Sequence, residues 1–296
     1  MPELLINHLV DPAPCRSTSI AHPQPICHHR TRRAAPALEI SMHVLFCSYG
    51  NDSIALIQWA HERQRKEVVC LYSDTGWAAV QWPARVAQGE ALAQSYGFRT
   101  FQTQSEGMVA LVKRKCGWPG AGGQGQFCTA ELKVLPALRW LDEHDPKKLA
   151  TTMTGVRRSE SAHRADAPEH VMESERHGGR ELWQPLVRHD DGMRNELLAR
   201  AGFKVLPHRS RECEPCINAN IDELRLLSED RIELIDVTER ELGFTAKGKP
   251  RVMFRSARRK NAVGIRAVIQ WADAPRSRDQ MQLFPAGKCD SGYCGG

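Results

Sequence analysis

A short polar turn combines the residue types that bind phosphate in α/β enzymes. The turn is Ser48-Tyr49-Gly50-Asn51-Asp52-Ser53, and it follows the apolar run His43 to Cys47. Gly50 lets the backbone turn sharply, and the helix that follows points its unpaired N–H groups at the turn. Ser48 and Ser53 add hydroxyl donors. An anion therefore fits this turn, although a plain strand–helix connection shows the same pattern.

Two further segments follow apolar runs and carry charges suited to a nucleotide. Asp74 comes after the run Val68 to Tyr72 and suits a metal-bound or ribose-facing carboxylate, or a helix cap. In the segment 155–161, the adjacent guanidiniums of Arg157 and Arg158 suit bidentate contacts to phosphate or sulfate, or form an exposed charged turn. A parallel sheet brings the ends of its strands to one edge, so the three features together favour a nucleotide site.

The cysteines are a second source of chemistry. The chain has ten, and in an intracellular protein thiols, catalytic groups or metal ligands are more common than disulfides. Cys47 and Cys70 lie in apolar runs, and we expect them to fill the core. The C-x₂-C segment Cys213-Glu214-Pro215-Cys216 is short enough for both thiolates to reach one metal. Four soft ligands suit an iron–sulfur cluster or zinc, and unliganded thiols remain an alternative.

Length and composition predict a soluble, cytoplasmic protein. The 296 residues, 41% hydrophobic and 26% charged, suffice for one core with a smaller appendage. No apolar run approaches the roughly 20 residues of a membrane helix, and the first residues do not resemble a secretory signal. The net charge of +6 favours nucleotides or nucleic acid as partners. The basic patches 113–115 and 255–260 either contact DNA or form solvated faces.

Strand and helix patterns alternate from Met42 onward and predict a parallel sheet with helices on its faces. A glycine-rich loop at 117–125 is predicted to be a mobile cover, too flexible for the core. The predicted domains are a disordered extension (1–41), an α/β nucleotide-binding domain (42–190) and a helical, cysteine-bearing region (191–296). The predicted strands are 43–47, 68–72, 99–102 and 149–154, and the predicted helices are 54–66, 83–96, 108–115, 129–144, 221–227 and 229–242.

Four motifs in this order resemble the phosphoadenosine phosphosulfate reductase family, within the adenine-nucleotide α-hydrolase-like, or ATP-pyrophosphatase, enzymes. They are SYGNDS, LYSDTGW, FCTAELKVLPALRWL and TGVRRSESAHRA, and they cover about residues 43–190. The resemblance implies a doubly wound, Rossmann-like parallel sheet, in agreement with the alternating pattern. It also implies that the chain binds ATP or a related adenine nucleotide with Mg²⁺.

The same resemblance implies roles for individual residues. It implies a pyrophosphate-binding loop formed by Ser48, Gly50, Asp52 and Ser53. It implies that Asp74 and Thr75 lie near the nucleotide or its magnesium, and that Lys133 and Arg157 meet the substrate anion. Glu160 and Arg164 are expected to orient that loop, and Gly155 is expected to be a further nucleotide contact.

Departures from the family pattern limit these expectations. Tyr49 and Asn51 stand where the pyrophosphatase loop has a second glycine and a lysine, so one phosphate-neutralising charge is missing or supplied from elsewhere. The C-terminal Glu-Cys-Gly-Leu-His segment of the sulfonucleotide reductases is also missing, and the chain instead ends on a tail with Cys289 and Cys294.

The Cys128 motif, the GVR segment and the C-x₂-C pair resemble the iron–sulfur branch that includes DNA-phosphorothioation enzymes. In that branch we expect Cys128, Cys213 and Cys216, with Cys289 or Cys294, to bind a [4Fe–4S] cluster. The alternative is zinc bound by the last four of these cysteines.

The function predicted first is adenylation-coupled sulfur transfer or redox chemistry. A sulfur donor protein or thiol reductant is the expected partner, DNA is a candidate acceptor, and no membrane is involved. Asp52, Lys133, Arg157 and Cys294 would be catalytic. One alternative is a thiol-dependent reductase that releases sulfite from phosphoadenylyl sulfate, with Cys294 or Cys289 as nucleophile. The other is a non-catalytic nucleotide-binding redox sensor or partner subunit.

Overall fold

A six-stranded sheet forms the centre of the computed structural model, which describes residues 41–120, 125–255 and 262–273. The strand order is β3-β2-β1-β4-β6-β5, and every neighbouring pair is parallel except β5–β6. The predicted Rossmann-like, doubly wound α/β fold is confirmed. The strands are β1 (His43–Phe46), β2 (Val68–Asp74), β3 (Arg99–Gln104), β4 (Thr151–Met153), β5 (His170–Ser174) and β6 (Arg180–Trp183).

Helices connect the strands and continue after them. A π-helical turn, Ala130–Val134, interrupts the predicted helix 129–144. Within the described part of the chain, none of the helices is long and apolar enough to cross a membrane. The helices are α1 (Asn51–Glu62), α2 (Trp82–Ser95), α3 (Met108–Arg114), α4 (Phe127–Thr129), α5 (Leu135–His144), α6 (Asp191–Arg200), α7 (Ile221–Leu224), α8 (Glu229–Leu242) and α9 (Ile265–Asp273).

Both faces of the sheet are buried, which explains why its central strands are nearly continuous apolar runs. Side chains alternate along a strand, so Val44 and Phe46 of β1 pack against α5 on one face. Leu45 of β1 and Cys70 of β2 pack with α1 and α2 on the other face. Cys47 and Cys70 are buried in this second layer, as expected from the sequence.

The strands β5 and β6 and the helices α6 and α9 are not among the predicted elements. β5 is an antiparallel edge strand and most of its side chains are exposed, so it lacks an apolar signature. Asp190 is the N-cap of α6, and its side chain accepts a hydrogen bond from the Met193 N–H at 2.8 Å. It packs on α1, where Arg200 Nε lies 2.6 Å from Glu62 Oε1. The domain boundary near residue 190 stays a prediction.

The expectation that the glycine-rich loop is too flexible for the core is wrong for its first part. Trp118 is fully buried, and its ring centroid lies 6.2 Å from that of Trp77. Both rings belong to a third apolar cluster with Leu111 of α3, Ile235 of α8 and Ile265 of α9. The area that a tryptophan ring buries outweighs the freedom of the neighbouring glycines. Residues 121–124 of the loop lie outside the described residues.

Candidate functional site

The direction of the strand order reverses at β1, which has β2 on one side and β4 on the other. In open α/β sheets, ligands bind outside the carboxyl ends of the strands at such a reversal. The turn 48–53 follows β1 and the segment 154–157 follows β4. Two of the predicted phosphate-binding features therefore meet at the position where this fold class binds its ligands.

The turn after β1 is held together by its own hydroxyl groups. The Ser48 and Ser53 Oγ atoms lie 3.1 Å apart, and the Ser48 N–H donates to Ser53 Oγ at 3.0 Å. The Gly50 N–H donates to Ser48 Oγ at 3.3 Å. α1 begins at Asn51, and the first N–H groups of a helix have no acceptor within it. The turn thus presents backbone donors and the positive end of a helix dipole to an anion.

Tyr49 keeps the backbone conformation that a glycine would adopt. Its φ of 56° lies in the left-handed region, which side chains other than glycine rarely enter. The ring is fully buried against Gly89 of α2, where an added Cβ would lie 2.1 Å from Tyr49 Cδ1. Tyr49 therefore holds the backbone conformation that the glycine expected from the family resemblance would favour.

Asn51 docks a distant segment onto the start of α1. Its Nδ2 donates to the Leu206 carbonyl at 3.0 Å, and the Leu206 N–H donates to Asn51 Oδ1 at 3.0 Å. The side chain is buried, and both ends of the amide are occupied by this backbone. The residue that replaces the family's lysine has a structural role in this chain.

Asp52 and Arg157 form a buried ion pair between the two segments at the switch point. Arg157 Nε donates to Asp52 Oδ1 at 2.6 Å, and Arg194 Nη1 lies 3.8 Å from the same oxygen. Arg157 Nη1 also donates to Ser159 Oγ at 3.0 Å and lies 3.0 Å from Asp191 Oδ1. Burial raises the pKa of Asp52 above its ordinary value, although the arginines oppose this rise.

The second carboxylate oxygen of Asp52 is available for another interaction. Asp52 Oδ2 is buried and has no hydrogen-bond partner among the described residues. A carboxylate oxygen is the donor type that Mg²⁺ prefers, so this atom fits the predicted magnesium ion. Gly155 allows this close packing, because a Cβ there would lie 2.9 Å from the Asp52 carbonyl oxygen. Nearby, Glu160 forms a buried ion pair with Arg164.

Arg85 of α2 is a cation at the turn that the sequence analysis missed. Its Nε donates to the Tyr49 carbonyl at 3.1 Å, and its Cζ lies 4.6 Å from the centroid of the Phe203 ring. Its Nη2 is buried without a hydrogen-bond acceptor among the described residues. The missing lysine was a signal that another cation should be sought, but the sequence does not show which one.

The end of β2 anchors the segment that carries the C-x₂-C pair. Asp74 Oδ1 accepts a hydrogen bond from the Gly76 N–H at 2.9 Å and so caps the turn. Thr75 is fully buried, and its Oγ1 donates to the Glu212 carbonyl at 2.6 Å. Thr75 Oγ1 also accepts from Cys213 Sγ at 3.6 Å. The predicted nucleotide residues of this strand end thus lie beside the predicted metal ligands.

Lys133 lies in the same group of residues, on the π-helical turn. Its Nζ forms an ion pair with Glu212, and its carbonyl accepts a hydrogen bond from Ser73 Oγ at 3.1 Å. Burial alone would lower the pKa of Lys133, but Glu212 and the neighbouring Cys213 raise it above its ordinary value. Glu212 was not predicted, because a single acidic residue next to a C-x₂-C pair is no signal in itself.

Three of the five predicted metal ligands share this neighbourhood. Burial raises the pKa of Cys213 to about 12 and raises that of Cys128, and the charge of Cys216 contributes to both shifts. These soft donors fit an iron–sulfur cluster or zinc in their chemistry. Over the described ranges, no group of three His, Cys, Asp or Glu residues is arranged to hold a metal ion. Cys289 and Cys294 lie outside the described residues.

Residues 42–213 match a family model described as the phosphoadenosine phosphosulfate reductase domain. The match runs from β1 to the first cysteine of the C-x₂-C pair. No curated protein matches the chain.

Solved structures that are similar to the chain include a reductase and a thiolase. A phosphoadenylyl-sulfate reductase from Candida auris, in a phosphate complex, shares 15% identity over 55% of this chain and 74% of its own, with a TM-score of 0.39. The U34-tRNA thiolase NcsA from Methanococcus maripaludis, with its [4Fe–4S] cluster, shares 9% identity over 86% of this chain and 80% of its own, with a TM-score of 0.44.

Proposed function

The chain belongs to the phosphoadenosine phosphosulfate reductase domain family, and on this basis we propose that it is an enzyme that couples adenylation to sulfur transfer or redox chemistry. The observation that carries the proposal is the convergence at the switch point. There Asp52 of the turn 48–53 forms a buried ion pair with Arg157 of the segment after β4. The end of the neighbouring strand β2 contacts Lys133 and the thiol of Cys213 through Ser73 and Thr75.

In this proposal the turn after β1 binds the β- and γ-phosphates of ATP. Ser48, Ser53 and the first N–H groups of α1 donate hydrogen bonds, and Arg85 supplies the positive charge that Asn51 does not. Asp52 Oδ2 and Asp74 are the carboxylates that would bind Mg²⁺ or its water molecules. Arg157 is only 1% exposed, so it acts as a positioning residue that fixes Asp52.

The chemistry begins when an oxygen of the acceptor attacks the α-phosphorus of ATP. An oxygen–phosphorus bond forms, the bond to the β-phosphate bridge breaks, and pyrophosphate leaves. A sulfur nucleophile then attacks the acceptor atom that bears the adenylated oxygen, a bond from sulfur to that atom forms, and AMP leaves. Hydrosulfide gives the thiolated acceptor directly. A protein persulfide gives a mixed disulfide with the acceptor, which the thiol reductant then cleaves, so that the thiolated acceptor and a disulfide are the products. Lys133 would offset negative charge that develops during the first step.

Cys128, Cys213 and Cys216 would supply three thiolates to an iron–sulfur cluster. A fourth ligand would come from Cys289 or Cys294, outside the described residues. Bound there, a cluster would provide a site for sulfur or electrons beside the nucleotide. The shared neighbourhood of the three thiols supports this proposal, because Cys216 lies close enough to Cys128 and to Cys213 to interact electrostatically with both.

Calorimetric ATP–Mg²⁺ binding, followed by a pyrophosphate-release assay with hydrosulfide and a single-stranded oligonucleotide acceptor, tests nucleotide use. Ser53→Ala should weaken ATP binding about tenfold, because a donor at the anion site is lost. Ser95→Ala, which changes an exposed serine on α2, is the matched control and should not alter binding. Equal ATP affinity in both variants would contradict the proposed site.

Metal analysis of protein purified without oxygen tests the cluster. We expect iron and acid-labile sulfide in the wild type and their loss in Cys213→Ser and Cys216→Ser. Cys116→Ser, at an exposed cysteine, should keep both. An iron-free protein that retains full activity would rule the cluster out, and stoichiometric zinc would assign the alternative metal.

The family name also supports a second candidate, the reduction of phosphoadenylyl sulfate to sulfite. In that reaction a thiolate attacks the sulfate sulfur, the adenosine bisphosphate leaves, and a second thiol then releases sulfite and forms a disulfide. Cys294 or Cys289 would be the nucleophile. Sulfite production that disappears in Cys294→Ser would favour this candidate over adenylation.

A further inference from the structure

A basic cavity of about 840 Å³ lies beside the cysteine-bearing segments. Lys115, Lys249, Arg251 and Arg255 line it, and no acidic residue is among the described residues that do so. Lys115 ends one of the basic patches found in the sequence, and Arg255 begins the other. The fold therefore brings cations that are 140 positions apart in the chain to one concavity.

The cations of the cavity differ in how far they are neutralised. Lys115 Nζ lies 2.7 Å from Glu131 Oε1, so its charge is partly offset. Arg251 Nη1 donates to the Leu242 carbonyl at 2.9 Å, at the end of α8. Lys249 is exposed and has no ion-pair partner within the described part of the chain. A phosphate group entering the cavity would meet Lys249 with its charge unbalanced.

Apolar and aromatic groups accompany these cations. Ile217 and Met253 give part of the wall an apolar surface, which suits the face of a nucleic-acid base. Phe244, which is 66% exposed, pairs through its backbone with Pro250 of the cavity wall. Cations next to apolar surface and an exposed aromatic ring are the combination that binds unpaired nucleotides.

The cavity adjoins the thiols through two neighbouring residues. Gln126 precedes Cys128 by two positions, and Asn218 follows Cys216 by two. The two amides bond to each other, with Gln126 Nε2 lying 3.4 Å from Asn218 Oδ1, and both line the cavity. A strand held in the cavity would therefore run past the cysteine group.

We propose that this cavity binds a single strand of nucleic acid, with phosphates on Lys249, Arg251 and Arg255 and a base against the apolar wall. This inference rests on the proposed function and extends it, because it identifies the acceptor as single-stranded nucleic acid. The binding of the strand itself depends only on the residues of the cavity, and it is measured separately from sulfur transfer.

Fluorescence anisotropy of the full chain with a labelled single-stranded 12-nucleotide probe, as DNA and as RNA, tests the proposal. The wild type should bind, and its affinity should fall as salt rises. Lys249→Glu should weaken binding about tenfold and reduce the salt slope by about one, whereas Lys249→Arg should restore both. Lys204→Glu makes the same charge change at an exposed residue outside the cavity and should bind like the wild type.

The outcomes separate this inference from the proposed function. Lys249→Glu should bind ATP normally, and Ser53→Ala should bind the strand normally. Equal losses in Lys249→Glu and Lys204→Glu would show a net-charge effect and overturn the cavity. Tighter binding of a duplex, full competition by inorganic phosphate or AMP at the probe concentration, or no binding at low salt would each overturn the assignment to a single strand. The DNA and RNA arms show which of the two chemistries the cavity prefers.

Discussion

Arg157 Nε lies 2.6 Å from Asp52 Oδ1, and the two residues are 105 positions apart in the chain. The pair fastens the turn after β1 to the segment after β4, and both side chains are almost completely buried. A buried ion pair need not stabilise a fold relative to apolar side chains, but the loss of one partner leaves the other charge unpaired. The shape of the proposed phosphate turn therefore depends on a residue of another strand end.

Arg157→Met should destabilise the protein strongly. The free energy of unfolding should fall by about 3–5 kcal/mol, because the Asp52 carboxylate would then be buried without its hydrogen-bonded partner, with Arg194 3.8 Å away and Arg164 as weaker compensation. Urea unfolding measures the loss. Arg158→Met, at the exposed neighbouring arginine, is the control and should cost less than about 1 kcal/mol. Similar losses in both variants would contradict the structural role of the pair.

Asn51→Ala should release the segment 203–206 from the start of α1. Two hydrogen bonds to the Leu206 backbone would be lost, and the unpaired groups should cost about 1–3 kcal/mol in thermal unfolding. Asn51→Lys restores the family's residue but cannot accept from the Leu206 N–H, so it should be destabilised as well. A stable Asn51→Lys variant with faster pyrophosphate release would show that the residue at position 51 serves the reaction, and it would contradict the structural role of Asn51.

Tyr49 and Gly89 should respond in opposite ways to small changes. Gly89→Ala places a methyl group 2.1 Å from Tyr49 Cδ1, so the ring or α2 must move, at a cost of about 1–3 kcal/mol. Tyr49→Phe removes a buried hydroxyl that has no partner among the described residues and should leave stability equal or higher. Chemical denaturation of both variants checks this. A large loss in Tyr49→Phe would show that the hydroxyl has a partner.

The sequence was informative where a feature is local. The apolar runs of β1 and β2, the polar turn at 48–53 and the arginine after β4 all follow from neighbouring residues. The contact of Asn51 with Leu206 spans 155 positions and that of Thr75 with Glu212 spans 137, so neither leaves a local pattern. The strand β5 escaped prediction for another reason, since its exposed edge position requires no apolar alternation.

His177 should make stability depend on pH. It is buried, its Nδ1 lies 2.7 Å from Ser174 Oγ, and burial, with help from Arg176, lowers the pKa of His177 to about 4. In the unfolded chain the histidine binds a proton near pH 6.5. The stability that the buried, neutral His177 contributes is therefore complete above that pH and is lost as pH falls toward 4. Between pH 7 and pH 5 the wild type should lose about 2 kcal/mol from this group.

Urea unfolding of the wild type and His177→Leu at both pH values isolates that contribution. The variant should be less stable at pH 7, because the bond to Ser174 and the packing on Phe46 are lost, but it should show a smaller decrease between the two pH values. The same decrease in both proteins would assign the pH dependence to other groups.

Arg85→Met should weaken ATP–Mg²⁺ binding without unfolding the protein. The Arg85 guanidinium lies against the Tyr49 carbonyl, and its Nη2 has no acceptor among the described residues, so an anion in the turn would satisfy it. A charge-assisted hydrogen bond contributes about 1.5–3 kcal/mol, which corresponds to at least a tenfold loss of affinity. Arg85→Lys keeps the charge but loses the fixed fork of donors, so its ATP affinity should lie between that of the wild type and that of Arg85→Met. Arg99→Met, at an exposed arginine of β3, should bind ATP like the wild type. If Arg85→Met also binds normally, the positive charge that Asn51 lacks is supplied by another residue, and Lys133 becomes the next to be changed.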